Sequence, residues 1–124
     1  MQRLRKREDF LAARNGRRTH CTTLTLQARD RRDGETEARA GFTVTKKTGG
    51  AVERNRIRRR LREALRLVAA QQARPGHDYV LIGREAALNA AFATIVDDLI
   101  AAFCRVHPGR GRGDARRDAG AGEP

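Results

Sequence analysis

Two hydrophobic periods organise the chain. Over residues 22–28, Leu24, Leu26 and Ala28 alternate with Thr23, Thr25 and Gln27, the rhythm of a half-buried strand. The rhythm returns over residues 39–46, with Phe42 and Val44 on the core side and Gly41, Thr43 and Thr45 on the other. Residues 29–39, with Gly34, read as a long, mobile polar connection, and the two strands as an antiparallel hairpin. Past Gly49-Gly50 the period lengthens. Ile57, Leu61, Ala64, Leu65 and Val68 share a sector about a third of a turn wide at ~100° per residue, which predicts a helix from residue 51 to about 73, stopping before Pro75-Gly76. Asn55, Arg58, Arg59, Arg62 and Arg66 gather on a neighbouring sector, with Arg54 between the two.

The remaining elements are shorter. Tyr79, Val80, Leu81 and Ile82 form a continuous apolar run in a strand over 78–83, as expected of a central strand. A last helix over 90–106 has Ala91, Ile95, Leu99 (or Val96) and Phe103 as its buried side, with Asp97 and Asp98 giving a non-basic outer face. A first helix over 8–15 carries Phe10, Leu11 and Ala13, with Gly16 placed to end it in a left-handed cap; Arg14 lies one turn beyond Phe10. An extra short strand near Thr19 also fits. The order helix, strand, strand, helix, strand, helix predicts an α+β fold, a two-layer sandwich with one mixed β-sheet packed with helices.

Length and composition add bounds. The 124 residues make one domain that buries about two-thirds of its unfolded surface. With no Trp and one Tyr, the core must be aliphatic. No apolar run approaches the roughly 18 residues of a membrane span. The basic start (Arg3, Arg5, Lys6, Arg7) runs into Glu8 and Asp9 rather than a hydrophobic signal segment. The expectation is a cytoplasmic protein with no membrane partner. The Gly-Arg-Gly-Arg-Gly-Asp run after Pro108 predicts a domain over 1–107 and a disordered tail over 108–124.

Charge changes the picture most. The net charge of +12 is concentrated: residues 1–20 carry seven bases and two acids, and residues 45–66 nine bases and two acids. Residues 21–44 and 67–124 each balance, at four against four and seven against seven. The helix over 51–73 holds seven arginines from Arg54 to Arg66 with only Glu53 and Glu63 between them. A solvated charged face usually interleaves acids with bases; an unneutralised guanidinium row suits a polyanion.

Catalytic constellations are harder to build. His20 and Cys21 are adjacent, so on a strand they point to opposite faces. His77 sits in a turn and His107 precedes a proline. Cys21 and Cys104 lie far apart, without metal-ligand spacing, and read as structural thiols. Asp97-Asp98 reads as helix surface rather than a metal site. The expectation is a chain that is non-catalytic by itself and binds no cofactor or metal.

The run Gly41-Phe42-Thr43-Val44-Thr45-Lys46-Lys47, followed by Ala51-Val52-Glu53-Arg54-Asn55-Arg56-Ile57-Arg58-Arg59-Arg60-Leu61-Arg62-Glu63, closely resembles the bacterial ribonuclease P protein subunit. That family has a strand ending in Lys-Lys, a Gly-containing turn and an Arg-Asn-Arg helix. The resemblance covers roughly the first 107 residues. It implies a left-handed β-α-β crossover in the sheet, against the usual right-handed rule. It also implies an endonuclease that is a ribonucleoprotein: the RNA subunit, with magnesium at its active site, removes the 5′ leader from precursor tRNA. The protein's partners would then be the catalytic RNA and precursor tRNA, with no dedicated protein partner. By resemblance, Arg54, Asn55, Arg56, Arg58, Arg59 and Arg62 dock on the catalytic RNA. Phe10, Arg14, Thr25, Gln27, Thr43, Thr45 and Lys46 line a cleft for the leader. Arg14 and Gln27 stand where the family often has aromatics, which points to a more electrostatic cleft. A ribosomal or ribosome-assembly protein would explain the arginine helix equally well, though not a cleft-facing first helix. A standalone nuclease would require a carboxylate cluster that the chain lacks.

Overall fold

The computed structural model describes residues 1–107; the expected tail over 108–124 lies outside the described residues. The elements run β1 (Gln2–Arg3), α1 (Arg7–Ala13), β2 (Arg17–His20), β3 (Leu24–Asp30), β4 (Arg39–Val44), α2 (Ala51–Gln72), β5 (His77–Gly83) and α3 (Phe92–Val106), with single 3-10 turns at Lys46–Thr48 and Glu85–Leu88. One mixed sheet has the order β1-β4-β5-β3-β2. β5 is parallel to β4 and antiparallel to β3, and β1 is parallel to β4. The α+β sandwich is as the sequence predicts.

Strand pairing is not. β3 and β4 form no hairpin, because β5 lies between them. The apolar run of β5 is largely buried on both faces, as suits the middle strand of the five. The connection from β3 to β4 therefore crosses the start of β5: Arg31 N–H donates to Gly76 O and Gly76 N–H to Thr36 O, at 3.1 and 3.2 Å. Gly76 has φ +73°, and a Cβ there would meet Glu35 O at 2.9 Å, so glycine is required on both counts. These bonds fasten the connection to the start of β5. Arg31 donates to Asp78, to His77 O and to Asp33.

α2 and α3 cover one sheet face. Ile57, Leu61, Ala64, Leu65 and Val68 of α2, the residues expected, pack with Ile95, Leu99, Ala102, Phe103 and Val106 of α3. Beneath them lie Leu24, Leu26, Ala28, Ala40, Val44, Tyr79 and Leu81. α3 starts later than predicted; Ala91 is its exposed N-cap. Asp98 is not simple outer surface: its carboxylate accepts from Thr23 N–H at 3.0 Å and from the Thr23 hydroxyl at 2.7 Å. Thr23, just before β3, is thereby tied to α3.

Among the described residues, the helix on the other face is α1, seven residues long. A smaller cluster of Leu4, Ala13 and Val80, with Phe10 and Ile82, joins it to the sheet. Gly16 does not adopt a left-handed cap, being absent from the positive-φ residues. Its role is close approach: a Cβ there would lie 2.0 Å from Ala28 O. β2, near Thr19, pairs with β3 at the sheet edge.

Candidate nucleic-acid interface

Burial of one face of α2 fixes where its arginines go. Arg56, Arg59 and Arg62 are exposed with Asn55, and Arg54 and Arg58 are half-buried. Both acids of this stretch are occupied elsewhere. Glu53 reaches back to accept from Gly50 N–H at 3.0 Å, which takes one of the amides that open the helix. Glu63 pairs with Arg66 one turn on. Arg54, Arg56, Arg58, Arg59 and Arg62 consequently have no ion pair among the described residues. Arg58 donates to Asn55 Oδ1 at 3.0 Å, and the Arg62 guanidinium lies 5.5 Å from the centre of the Phe42 ring. The Nε of Arg54 is buried without a hydrogen-bond partner. Arg60 is different: it donates to the carbonyls of Ala87, Leu88 and Ala90 and ties α2 to the turn before α3.

Register places the expected cleft residues on the α1 face of the sheet. Cross-strand pairing aligns Thr43, Ile82, Thr25 and His20 in one row. The next row is Gly41, Val80, Gln27 and Arg18, and beyond it Arg39, Asp78 and Arg29. Phe10 of α1 sits on Gly41, where an added Cβ would be 2.4 Å from the ring. Phe10, Thr25, Gln27 and Thr43 are thus brought to one face, with Arg14 exposed at the end of α1.

Not all of them form an open floor. Thr25 and Gln27 are 6% and 3% exposed, because β3 is an interior strand rather than half of a hairpin. The Thr25 hydroxyl is 2.9 Å from His20 Nδ1. Thr43 and Ile82 are half-buried and His20 and Arg18 exposed, so these supply the accessible part. Thr45 and Lys46 lie beyond the end of β4, exposed, in the turn leading to α2; the Thr45 hydroxyl meets that of Thr48 at 3.3 Å. Arg18, His20 and Ile82 escaped sequence reasoning. Alternation within a strand over 17–20 would have found the first two, while Ile82 is hidden in a run without period.

The ionisable groups support binding better than catalysis. Burial pushes the Cys21 thiol up and Asp98 adds to this, against the opposing charges of Arg105 and Arg84; it stays protonated. Burial would raise the Asp78 carboxyl, but hydrogen bonds and charge from Arg39 and Arg31 outweigh it and hold the group below its ordinary value. Tyr79 accepts from Arg74 N–H at 2.8 Å and its hydroxyl lies 2.7 Å from His107 Nε2, a packed group at the far end of the sheet. No cluster of three or more His, Cys, Asp or Glu that could hold a metal occurs among the described residues. None of their helices is long and apolar enough to cross a membrane.

Comparison with known proteins gives a consistent result. A family profile described as Ribonuclease P matches residues 1–107. The chain is 51% identical over 106 residues to the ribonuclease P protein component of Ruegeria pomeroyi, covering 84% of this chain and 85% of that one. With that of Caulobacter vibrioides it shares 46% over 123 residues, covering 97% and 83%. Among solved structures, the RNase P protein from Thermotoga maritima is similar at 28% identity and TM-score 0.73, covering 87% of this chain and 100% of that one. The Staphylococcus aureus RNase P protein shares the fold, at 24% identity and TM-score 0.69, covering 82% and 92%.

Proposed function

This chain belongs to the ribonuclease P protein family, and from that membership we propose that the α2 guanidinium row docks it on the catalytic RNA while the α1 face of the sheet receives the 5′ leader of precursor tRNA. It is an RNA-binding subunit that assists the RNase P RNA in tRNA 5′-leader processing, and it serves ribonuclease P activity as part of a ribonucleoprotein. The residue assignments go further. The observation that carries them is the row of five α2 arginines without an acid partner among the described residues. Such a row gains most from phosphates, which contribute affinity and register in RNA complexes.

The leader assignment rests on continuity. Thr45 and Lys46 stand between the end of β4 and the start of α2, so a strand leaving the Thr43–Ile82 floor meets Lys46 before the arginines. Unpaired RNA suits such a groove, since bases lie against apolar walls while the backbone meets cations. Phe10 is the one aromatic on the α1 wall; Arg14 and Arg18 add charge where Gln27 and Thr25 are covered. In this reading residues 1–107 are the RNA-binding unit, separate from residues 108–124. The protein works in the cytoplasm on precursor tRNA. In this reading magnesium sits at the active site of the RNA; among the described residues no group of three or more His, Cys, Asp or Glu could hold it.

The test compares precursor and mature tRNA binding to reconstituted holoenzyme carrying Thr43→Glu. A carboxylate beside a phosphate costs about 1 kcal/mol in water-like surroundings, roughly a fivefold loss for precursor tRNA that shrinks as salt rises. Mature tRNA, without a leader, should bind as before. Equal losses for both would place the leader elsewhere.

A further inference from the structure

The same α2 helix borders a second concavity, on the side of the sheet away from α1. It runs between α2 and the β1–β4 edge, with a volume of about 650 Å³. Its floor is apolar: Phe42, Leu65 and Ala69, with Ala70 at the α2 wall and Arg3 and Arg62 above. None of this surface belongs to the leader face.

Three observations indicate what it holds. Arg62 joins the groove to the α2 row, so an RNA seated on that row already passes its mouth. Charge is the second: Arg3 and Arg62 make no ion pair among the described residues, while the acids nearby are spent, Glu37 on the N-terminal amine at 3.8 Å and Glu63 on Arg66. The third is the cation–π contact of Arg62 with Phe42, its guanidinium carbon 5.5 Å from the ring centre. An aromatic ring with a guanidinium at its side offers a base an apolar face and the attached phosphate a cation. An apolar floor with cations at its rim fits a nucleotide, which brings an apolar base face and an anionic phosphate together in one unit.

We propose that this groove takes an unpaired nucleotide of the catalytic RNA, its base against Phe42, Leu65 and Ala69 and its phosphate between Arg3 and Arg62. The proposal rests on the α2 docking reading, of which it is an extension. It gives the basic residue of β1 a role that the leader cleft does not.

Holoenzyme reconstituted with the cognate catalytic RNA tests it. Ala70 is exposed in α2, and Ala70→Glu sets a carboxylate at the groove wall without opening a cavity; Arg3→Ala is the second variant, on an exposed edge strand, and thermal melts check both. Ala70→Glu should weaken RNA binding about fivefold at low salt, and Arg3→Ala should lower the slope of log affinity against log salt by about 0.7 to 0.9. Probing the RNA with dimethyl sulfate and a carbodiimide should reveal an unpaired base that wild-type protein protects and Ala70→Glu exposes. If both variants bind as wild type while Arg56→Ala with Arg59→Ala lowers the slope, the groove proposal falls and α2 docking stands. If that double variant also changes nothing, both fall. Weakened binding with unaltered base reactivity would reduce the groove to a phosphate contact and overturn base insertion.

Discussion

Arg29, Arg31 and Arg39 converge on one buried carboxylate, that of Asp78, whereas Arg54, Arg56, Arg58, Arg59 and Arg62 run along α2 with no acid partner among the described residues. In the first group, Arg31 and Arg39 donate to Asp78 at 2.8 Å and Arg29 lies 3.9 Å away. Register causes this, because Arg29 and Arg39 are the cross-strand neighbours of Asp78 on either side. Arg39 also reaches Asp9 at 3.6 Å, so the cluster pins both the β3–β4 connection and α1. The same side chain thus closes the fold in one place and leaves charge unspent in another. Where the acids sit decides which, and the number of arginines does not.

Breaking the first group should cost the most. Asp78→Asn leaves two hydrogen-bonded guanidiniums facing a neutral amide, and losing one partner of a buried pair destabilises by about 3–5 kcal/mol. Urea denaturation reads this directly; a loss below ~1 kcal/mol would show that water replaces the carboxylate. Acid should reach the same contact. A folded carboxyl held below its unfolded value of about 3.9 stabilises fully above that pH, and its contribution disappears as pH falls through the folded value. Wild-type stability should therefore drop below about pH 4, with a shallower fall in Asp78→Asn.

Arg60 sharpens the contrast, because it lies on α2 but is spent on three carbonyls. Arg60→Ala should cost about 1–3 kcal/mol, the penalty for buried acceptors left unsatisfied, and should leave the salt dependence of RNA binding unchanged. Arg56→Ala with Arg59→Ala should do the reverse. Melting stays at the wild-type temperature, while the slope of log affinity against log salt falls by about 1.4 to 1.8. An unaltered slope would make α2 an ordinary solvated surface, and the distinction between the two groups would vanish.

Helical periodicity was legible because α2 is long and its apolar sector is wide; all five of its buried residues could be read from spacing. Alternation likewise separated Phe42 and Val44 from Gly41 and Thr43. What alternation could not reveal was which strands are neighbours. Leu24–Ala28 and Ala40–Val44 each carry a sound strand pattern, and nothing local says that residues 77–83 enter between them. Alternation alone therefore makes Thr25 and Gln27 an open face, whereas they are covered. Asp78 was unreadable for the same reason: its partners lie 39 and 47 positions away in the chain. β1, two residues long, carries no period at all.

The order β1-β4-β5-β3-β2 has a consequence for the growing chain. Synthesis runs from the N-terminus, and domains form from what has emerged. The β2–β3 pair can assemble early, since its partners are close in sequence. β3 and β4 then each present an unpaired edge, and α2 can wind before the sheet is continuous. Only when residues 77–83 appear can a single strand slide into the gap, satisfy both edges and carry Asp78 between Arg31 and Arg39. Without residues 77–83 the facing edges of β3 and β4 would stand unpaired, the kind of edge that invites wrong pairing. Closure of this sheet is an insertion, and β5 is the keystone.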